Sequence, residues 1–514
     1  MKSGVFFTGL VLGVLLATTA RGQENSMGCF APGLTSAAKI DACTKSLDGG
    51  ALPPETRALA LLARAEALAE TGAATKALAD YDAAFVLISP DAAALLARGK
   101  LHDAAGDITK AEADYTAALA RDNTLGEALA LRGVLRLKRG VVDAGIADLG
   151  EARRFRPNDP APFKMRGAHF LERGDAKQAV AELQEAARLA PDDAETQRLL
   201  GAAKLKAGAA PEALTPFASA LQTNPRDASA LRGRATAHAQ QKNYAAAIAD
   251  FSAALAVNPK DIAALEGRGM AALQSGAFAA AVADFTALAE ARPGETAPLF
   301  FRANARLQNG DAKGAVADYT TFLARHTDDI EALMGRALAR QFAGDLAGSE
   351  ADFTAVLKIV PDAAQALAGR GYVRVMRSRY AEAAADLAAA TQLPDAPLDL
   401  AAWRFVAESH AGMKAETALA AAVKTTLADR WPAPVLHYFL GRLTGDELLA
   451  AAAREPRASP GRLCEAYYYL GEAALIEKDS TAAVKLFQAA IATGMTRYTE
   501  FVAAQNRLAG LTQP

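Results

Sequence analysis

The sequence repeats itself every 34 residues, and this period constrains the fold more than any other feature. With Ala58 as the first residue of a unit, position 8 is small ten times in succession: Ala65, Gly99, Gly133, Gly167, Gly201, Ala235, Gly269, Ala303, Ala337 and Gly371. Position 20 is again small, as Ala77, Ala111, Gly145, Ala179, Ala213, Ala247, Ala281, Ala315, Ser349 and Ala383. Position 24 is large: Tyr81, Tyr115, Leu149, Leu183, Phe217, Phe251, Phe285, Tyr319, Phe353 and Leu387. Pro157, Pro191, Pro225, Pro259, Pro293 and Pro361 close six of the units. No insertion breaks the phase between 58 and 397, so one supersecondary unit is stacked ten times. Abundant Ala with only 6% aromatics suits closely packed helices rather than strands.

Small residues at positions 8 and 20 let two helices of a unit approach, and the position-24 ring fills the space between them. The closing Pro ends the second helix because it has no N–H to continue the ladder. In these positions the chain resembles the tetratricopeptide repeat, a helix–turn–helix unit. The resemblance implies an all-α, right-handed superhelix in which helix A and helix B alternate. The expected organisation is a signal peptide over 1–22, an N-terminal segment over 23–57, ten tandem repeats over 58–397, an irregular helical segment over 398–463, and a further repeat with a capping helix over 464–514. In the last of these, Gly471, Ala483, Phe487 and Ala490 take positions 8, 20, 24 and 27 of a unit starting at Cys464. Thr444 with Glu447 is a capping-box pattern.

A second regularity concerns charge. Position 7 is Arg in nine units (Arg64, Arg98, Arg132, Arg166, Arg234, Arg268, Arg302, Arg336, Arg370). Position 23 is acidic in nine (Asp80, Asp114, Asp148, Glu182, Asp250, Asp284, Asp318, Asp352, Asp386). The exceptions, Leu200 and Pro216, share the fifth unit, so charge and counter-charge vanish together. That coincidence predicts ion pairs between helices A and B rather than a ladder for an anionic ligand. Pro216 falls inside helix B of this unit, which predicts a bend or soft joint.

The first residues read as an export signal. Lys2 precedes the apolar run 5–17, and Ala20 and Gly22 suit cleavage before Gln23. The run is shorter than the roughly twenty residues a spanning helix needs. A retained anchor is the rival reading. A lipoprotein would need Cys directly after the run, whereas Gln23, Glu24 and Asn25 separate Cys29 from it. Cys29 and Cys43 lie in one short segment and would pair in an oxidising compartment. Two reduced thiols are the alternative, and Cys464 reads as a small buried hydrophobe. A net charge of −2 argues against a nucleic-acid partner. No cofactor or metal is expected, and no transmembrane segment in the mature chain.

Catalytic patterns are absent from the sequence. His102, His169, His238, His326, His410 and His437 form no metal-binding spacing, and no phosphate-binding loop or nucleophile elbow occurs. What remains is surface. The inner face of such a superhelix is lined by helix A positions 2, 5, 9, 12 and 13. Units seven to ten carry Met270, Phe300, Asn304, Met334, Leu338, Phe342, Tyr372 and Met376 there, the candidate partner-binding residues. Units two to six carry polar groups instead, among them Lys100, Asp103, Lys164, Arg198, Arg232 and Gln240. Met and aromatic residues beside one amide suit an apolar helix or extended peptide, with Asn304 holding its backbone. Packing on neighbouring helices is the competing explanation. No Lys/Asn clamp for a terminal carboxylate is present.

Trp431-Pro432, Tyr438-Phe439-Leu440-Gly441, Asp446-Glu447-Leu448-Leu449, Tyr467-Tyr468-Tyr469-Leu470-Gly471-Glu472, Phe487-Gln488-Ala489-Ala490 and Glu500-Phe501-Val502 with Leu508 resemble the C-terminal part of NlpI-type bacterial repeat proteins. That resemblance implies an exported, non-enzymatic periplasmic adaptor that brings partner proteins to proteases or cell-wall hydrolases. Those relatives have a lipid anchor and few repeats, which this chain does not share. The second expectation is a self-associating homo-oligomeric scaffold, and the third an enzyme with a site hidden in 398–463.

Overall fold

Helix boundaries follow from local chemistry at two positions that recur with the period. Position 15 must turn the chain between helices A and B, and glycine supplies the left-handed backbone there, as at Gly106 (φ 79°) and Gly344 (φ 85°). Lys242, Ser378 and Lys478 stand at the equivalent position and adopt the same conformation at φ 60°, 59° and 67°. The next residue is often Asp, and its carboxylate accepts from the backbone N–H that helix B leaves unpaired, as at Asp107, Asp175, Asp311 and Asp345. Asp91, Asp159, Asp261 and Asp329 do the same for helix A.

The computed structural model describes residues 28–50, 52–393, 399–424, 430–454 and 459–512. The expected signal peptide over 1–22 lies outside the described residues. Within them the chain is all-helical, with 28 α-helices, one short 3-10 helix and no strand. It divides into two units, 1–237 and 238–514.

In the first unit, helix Ser36–Asp48 precedes five repeats. Their A helices are Pro54–Glu70, Ala92–Ala104, Gly126–Lys138, Pro160–Glu172 and Ala194–Lys206. Their B helices are Ala74–Leu87, Ile108–Arg121, Val142–Phe155, Ala176–Leu189 and Ala210–Thr223. Each A packs on its own B, and each B on the following A. Cys29 and Cys43 form a disulfide, both fully buried. It packs with Leu47, Ala58 and Leu61, closing the exposed end of the first repeat.

Phe217 shows what the large residue at position 24 does. A Cβ added at Gly201 of its own repeat would lie 2.8 Å from the ring, and one at Gly233 of the next would overlap it. The ring therefore seals two successive repeats, and here it needs glycine at position 6 of the next repeat as well as at position 8 of its own. Pro216 does not break its helix, which runs from Ala210 to Thr223 without interruption. Pro216 cannot donate to the carbonyl of Glu212, and Lys204 Nζ donates to that oxygen instead at 3.4 Å.

In the second unit, repeats seven to ten use A helices Ile262–Ser275, Ala297–Gln308, Ile330–Phe342 and Ala364–Met376. Their B helices are Phe278–Ala291, Ala312–Leu323, Leu346–Ile359 and Tyr380–Ala390. Four helices follow: Asp399–His410, Glu416–Lys424, Ala433–Phe439 and Gly445–Ala453, the last opened by a Thr444/Glu447 capping box. Ser459–Ile476 and Ser480–Ala492 pair as a further helical hairpin, with Phe487 against Gly471. The final helix, Thr499–Thr512, packs on this hairpin and also on the A helices of repeats nine and ten. One apolar core runs without a gap from Ala303 to Ala504.

The charge regularity is an ion-pair ladder. Eight Arg–carboxylate pairs, from Arg64–Asp80 to Arg370–Asp386, close helix A on helix B at 2.6–3.0 Å. Where position 11 is also Arg, a second guanidinium joins the same carboxylate, as Arg306 does on Asp318 and Arg340 on Asp352. The acidic partners are largely buried, Asp284 at 4% side-chain exposure and Asp352 at 5%. These pairs therefore differ from solvent-exposed surface bridges, which contribute about 0–1 kcal/mol.

Candidate protein-binding face

Within each unit, most successive A helices touch each other while successive B helices stay further apart. The contacts join Gly126–Lys138 to Pro160–Glu172 and on to Ala194–Lys206, and Ala297–Gln308 to Ile330–Phe342 and on to Ala364–Met376. The A helices thus line the tighter side of each unit, where the sequence places its candidate residues.

In the second unit these residues have different fates. Leu338 is 36% exposed, and Met270 and Asn304 are half-buried. Phe300 is half-buried against Tyr319, edge-to-face at 6.1 Å, and against Phe322 at 5.2 Å. The buried Tyr319 hydroxyl, its pKa raised by burial, donates to Asn304 Oδ1. That bond orients the amide, and Asn304 Nδ2 has no partner among the described residues. Phe300, Asn304 and Tyr319 therefore form one assembly. Met334 and Phe342 are half-buried against the core.

Two candidates are engaged by the chain itself, Met376 in the interior and the half-buried Tyr372 against helix Asp399–His410. Met376 is 3% exposed, a core residue with no surface to offer a partner. The Tyr372 ring lies tilted against Trp403 at 4.8 Å, and its hydroxyl donates to Asp399 at 3.0 Å. The C-terminal helix Thr499–Thr512, expected only as a cap, also packs on this face. Gln341, at position 12 of repeat nine, is 1% exposed and donates to Thr499 at 3.3 Å. Arg497 donates to the Gln308 carbonyl of repeat eight. The chain itself therefore covers part of the inner face of repeats nine and ten, around Gln341. Met270, Asn304 and Leu338 remain on the open part, with Phe300 below them.

In the first unit the inner face is polar and self-paired. Lys100 meets Glu127 at 2.5 Å, Lys164 meets Asp193 and Glu195 at 3.0 Å each, and Arg198 meets Asp227 at 3.7 Å. Each cation is neutralised at or beside the start of the next A helix. Buried His102 has its Nε2 4.0 Å from Asp114 Oδ2, in the place Arg takes in other repeats. Among the described residues, no three His, Cys, Asp or Glu side chains converge as a metal site. No described helix is long and apolar enough to cross a membrane.

The sequence reading missed the cluster around Trp403, Tyr469 and Glu500, where Trp403 Nε1 donates to buried Glu500 at 3.0 Å. A signal was present: three consecutive tyrosines on one helix span too much of its circumference to share one face, and Tyr468 and Tyr469 are both fully buried.

Paired helices repeated in register, with one face lined by every first helix, define a helical-repeat scaffold of the kind that mediates protein–protein interaction. The family model for the tetratricopeptide repeat matches residues 96–160, 164–228, 203–262, 232–296 and 334–397, so the chain belongs to that family. No curated protein matches it. Among solved structures, it is similar to a tetratricopeptide repeat protein from Parabacteroides merdae at 21% identity, over 47% of this chain and 96% of that one (TM-score 0.34). It is also similar to YrrB, described as having an unusual peptide-binding site, at 22% identity over 37% of this chain and 97% of that one (TM-score 0.34). The repeat domain of P58(IPK) is 16% identical over 69% of this chain and 98% of that one (TM-score 0.29).

Proposed function

We propose that the protein is a non-enzymatic, exported scaffold that binds a partner protein on the inner face of repeats seven to nine. The observation that carries this reading is the Phe300–Tyr319–Asn304 assembly, an apolar floor with one oriented, unpartnered amide. An amide in that state can donate to the backbone carbonyl of an apolar helix or extended segment, while Met270 and Leu338 cover its side chains. The Cys29–Cys43 disulfide supports an oxidising compartment, and the bacterial periplasm is the proposed location. The NlpI-like tail motifs favour a role in bringing partners to proteases or cell-wall hydrolases.

The test is affinity capture from periplasmic extract with the wild type and with Leu338→Asp and Met270→Asp, each monitored by circular dichroism. These side chains reach the surface, so the variants should fold and lose the captured partner at least tenfold. An unchanged capture profile would reject the face. Recovery of the protein alone, with a doubled mass, would favour the self-associating scaffold.

A further inference from the structure

The final helix, Thr499–Thr512, is held at its two ends by opposite kinds of buried charge. At its start, Glu500 is 6% exposed and its Oε1 accepts from Trp403 Nε1 at 3.0 Å and from the Tyr469 hydroxyl at 3.3 Å. Both donors are neutral. Asp399 bears on the same site, and its Oδ2 accepts from the Tyr372 hydroxyl at 3.0 Å. Glu465 is the third carboxyl, accepting from Trp431 Nε1 at 2.7 Å. Neither Glu500 nor Asp399 forms an ion pair among the described residues. Arg462, 5.9 Å from the Trp431 ring centre, draws Glu465 only partway back toward ionisation.

The other titratable groups that feel Glu500 supply no positive charge. They are Tyr372 from repeat ten, Cys464, Tyr468 and Tyr469 from helix Ser459–Ile476, and Tyr498 just before the final helix. Burial raises the pKa of every one, so all stay neutral near pH 7. From repeat nine, the neutral Gln341 amide meets Thr499.

The far end is arranged differently. Arg507, 8% exposed, donates to fully buried Glu472 at 2.6 Å, and His410 Nε2 lies 2.8 Å from the same carboxylate. Burial pushes Glu472 upward, but Arg507 and His410 outweigh it and hold the carboxyl below its usual range. That end keeps its charge pair at neutral and mildly alkaline pH.

We propose that Thr499–Thr512 is a proton-operated latch over the partner-binding face. With Glu500, Asp399 and Glu465 protonated, the helix stays docked on repeats nine and ten. With them ionised, its first turns lift off while Arg507 keeps the far end tethered to Glu472. Lifting uncovers Gln341 and extends the open face from Leu338 toward repeat ten. This regulation rests on the reading that the face binds partners.

The sign follows from burial. Burial raises all three carboxyls, Glu500 up to about 7 and Glu465 up to about 8. A raised carboxyl favours the closed state below its ordinary value and loses that contribution as pH rises through the raised value.

The chain's two tryptophans, Trp403 and Trp431, both donate to titrating carboxyls, so intrinsic fluorescence reports the switch directly. Hydrogen exchange of the full chain, corrected for intrinsic rates, should show residues 500–506 losing protection at least ~10-fold between pH ~6 and ~9. Residues 262–275 should not change. Glu500→Gln, a neutral isostere, should lose clearly less protection over 500–506. Equal loss in both proteins, or loss in neither, would overturn the latch. If Glu500→Gln lacks helical signal, Asp399→Asn carries the test: removing a like charge should shift the tryptophan transition to lower pH, and an unmoved transition would overturn the proposal. Anilinonaphthalene sulfonate, as an apolar probe, should bind more at the higher pH in wild type only. Exchange needs no partner and Leu338→Asp capture needs no titration, so latch and face can fail separately.

Discussion

Arg268 and Asp284 offer the cleanest dissection of the ion-pair ladder, because position 11 of their repeat is Ala272 and no second guanidinium intervenes. Arg268 Nε and Nη2 reach the two oxygens of Asp284 at 2.9 and 2.6 Å, and Nη1 donates to Ser252 of the preceding helix B at 3.1 Å. The pair is asymmetric in exposure, with Asp284 at 4% and Arg268 at 29%. Arg268→Leu strands a carboxylate that cannot reach water, which should cost about 3–5 kcal/mol. Asp284→Ala leaves a guanidinium that can swing outward on its long stem, so the loss should be nearer ~1–2 kcal/mol. Removing both should cost about 0–1 kcal/mol, since the desolvation penalty disappears with the attraction. The fifth repeat already carries this double replacement, with Leu200 and Pro216 in the paired positions and Leu200 buried at 6%. A repeat array does not unfold in two states, so the assay should be native-state hydrogen exchange over helices Ile262–Ser275 and Phe278–Ala291. Equal costs for the two single variants would refute the exposure argument. A double variant as damaged as Arg268→Leu would show that the pair attracts beyond its desolvation cost.

Lys478→Gly should stabilise the C-terminal hairpin by about 1 kcal/mol, because Lys478 holds a left-handed φ of 67° that glycine adopts freely; an unchanged or lower melting temperature would count against this. Reducing Cys29–Cys43 opens a loop worth roughly 3 kcal/mol in chain entropy, so helix Ser36–Asp48 should exchange faster under dithiothreitol while the second unit stays unaffected. Pro216→Ala should restore the bond to the Glu212 carbonyl and slow exchange across 211–221; equal protection of this stretch and its neighbours in the wild type would show that Lys204 compensates fully.

The repeat was legible because each period-34 position answers to one local requirement. A ring at position 24 needs small residues opposite it, and charges that vanish together in the fifth unit must meet each other. Position 6 was harder to read, because the partner of Gly233 is Phe217, in the preceding repeat. The candidate face was half legible for a related reason. Helical spacing placed Phe300, Asn304 and Leu338 on the side where A helices converge, and the structure leaves them at or just below its surface. The same spacing placed Tyr372 and Met376 there, yet Met376 joins the core and the half-buried Tyr372 is engaged by Asp399 and Trp403. Nothing in the period encodes that closure, because Thr499 lies 158 residues from the Gln341 it touches. Glu500 shows the limit most clearly. In sequence it is one acid before two apolar residues, at the start of an amphipathic helix, where an exposed carboxylate favouring the helix N-terminus is the ordinary expectation. Only the return of that helix onto its own repeats puts the carboxyl between Trp403 and Tyr469. That return turns an ordinary helix-start residue into a buried acid with no counter-charge among the described residues.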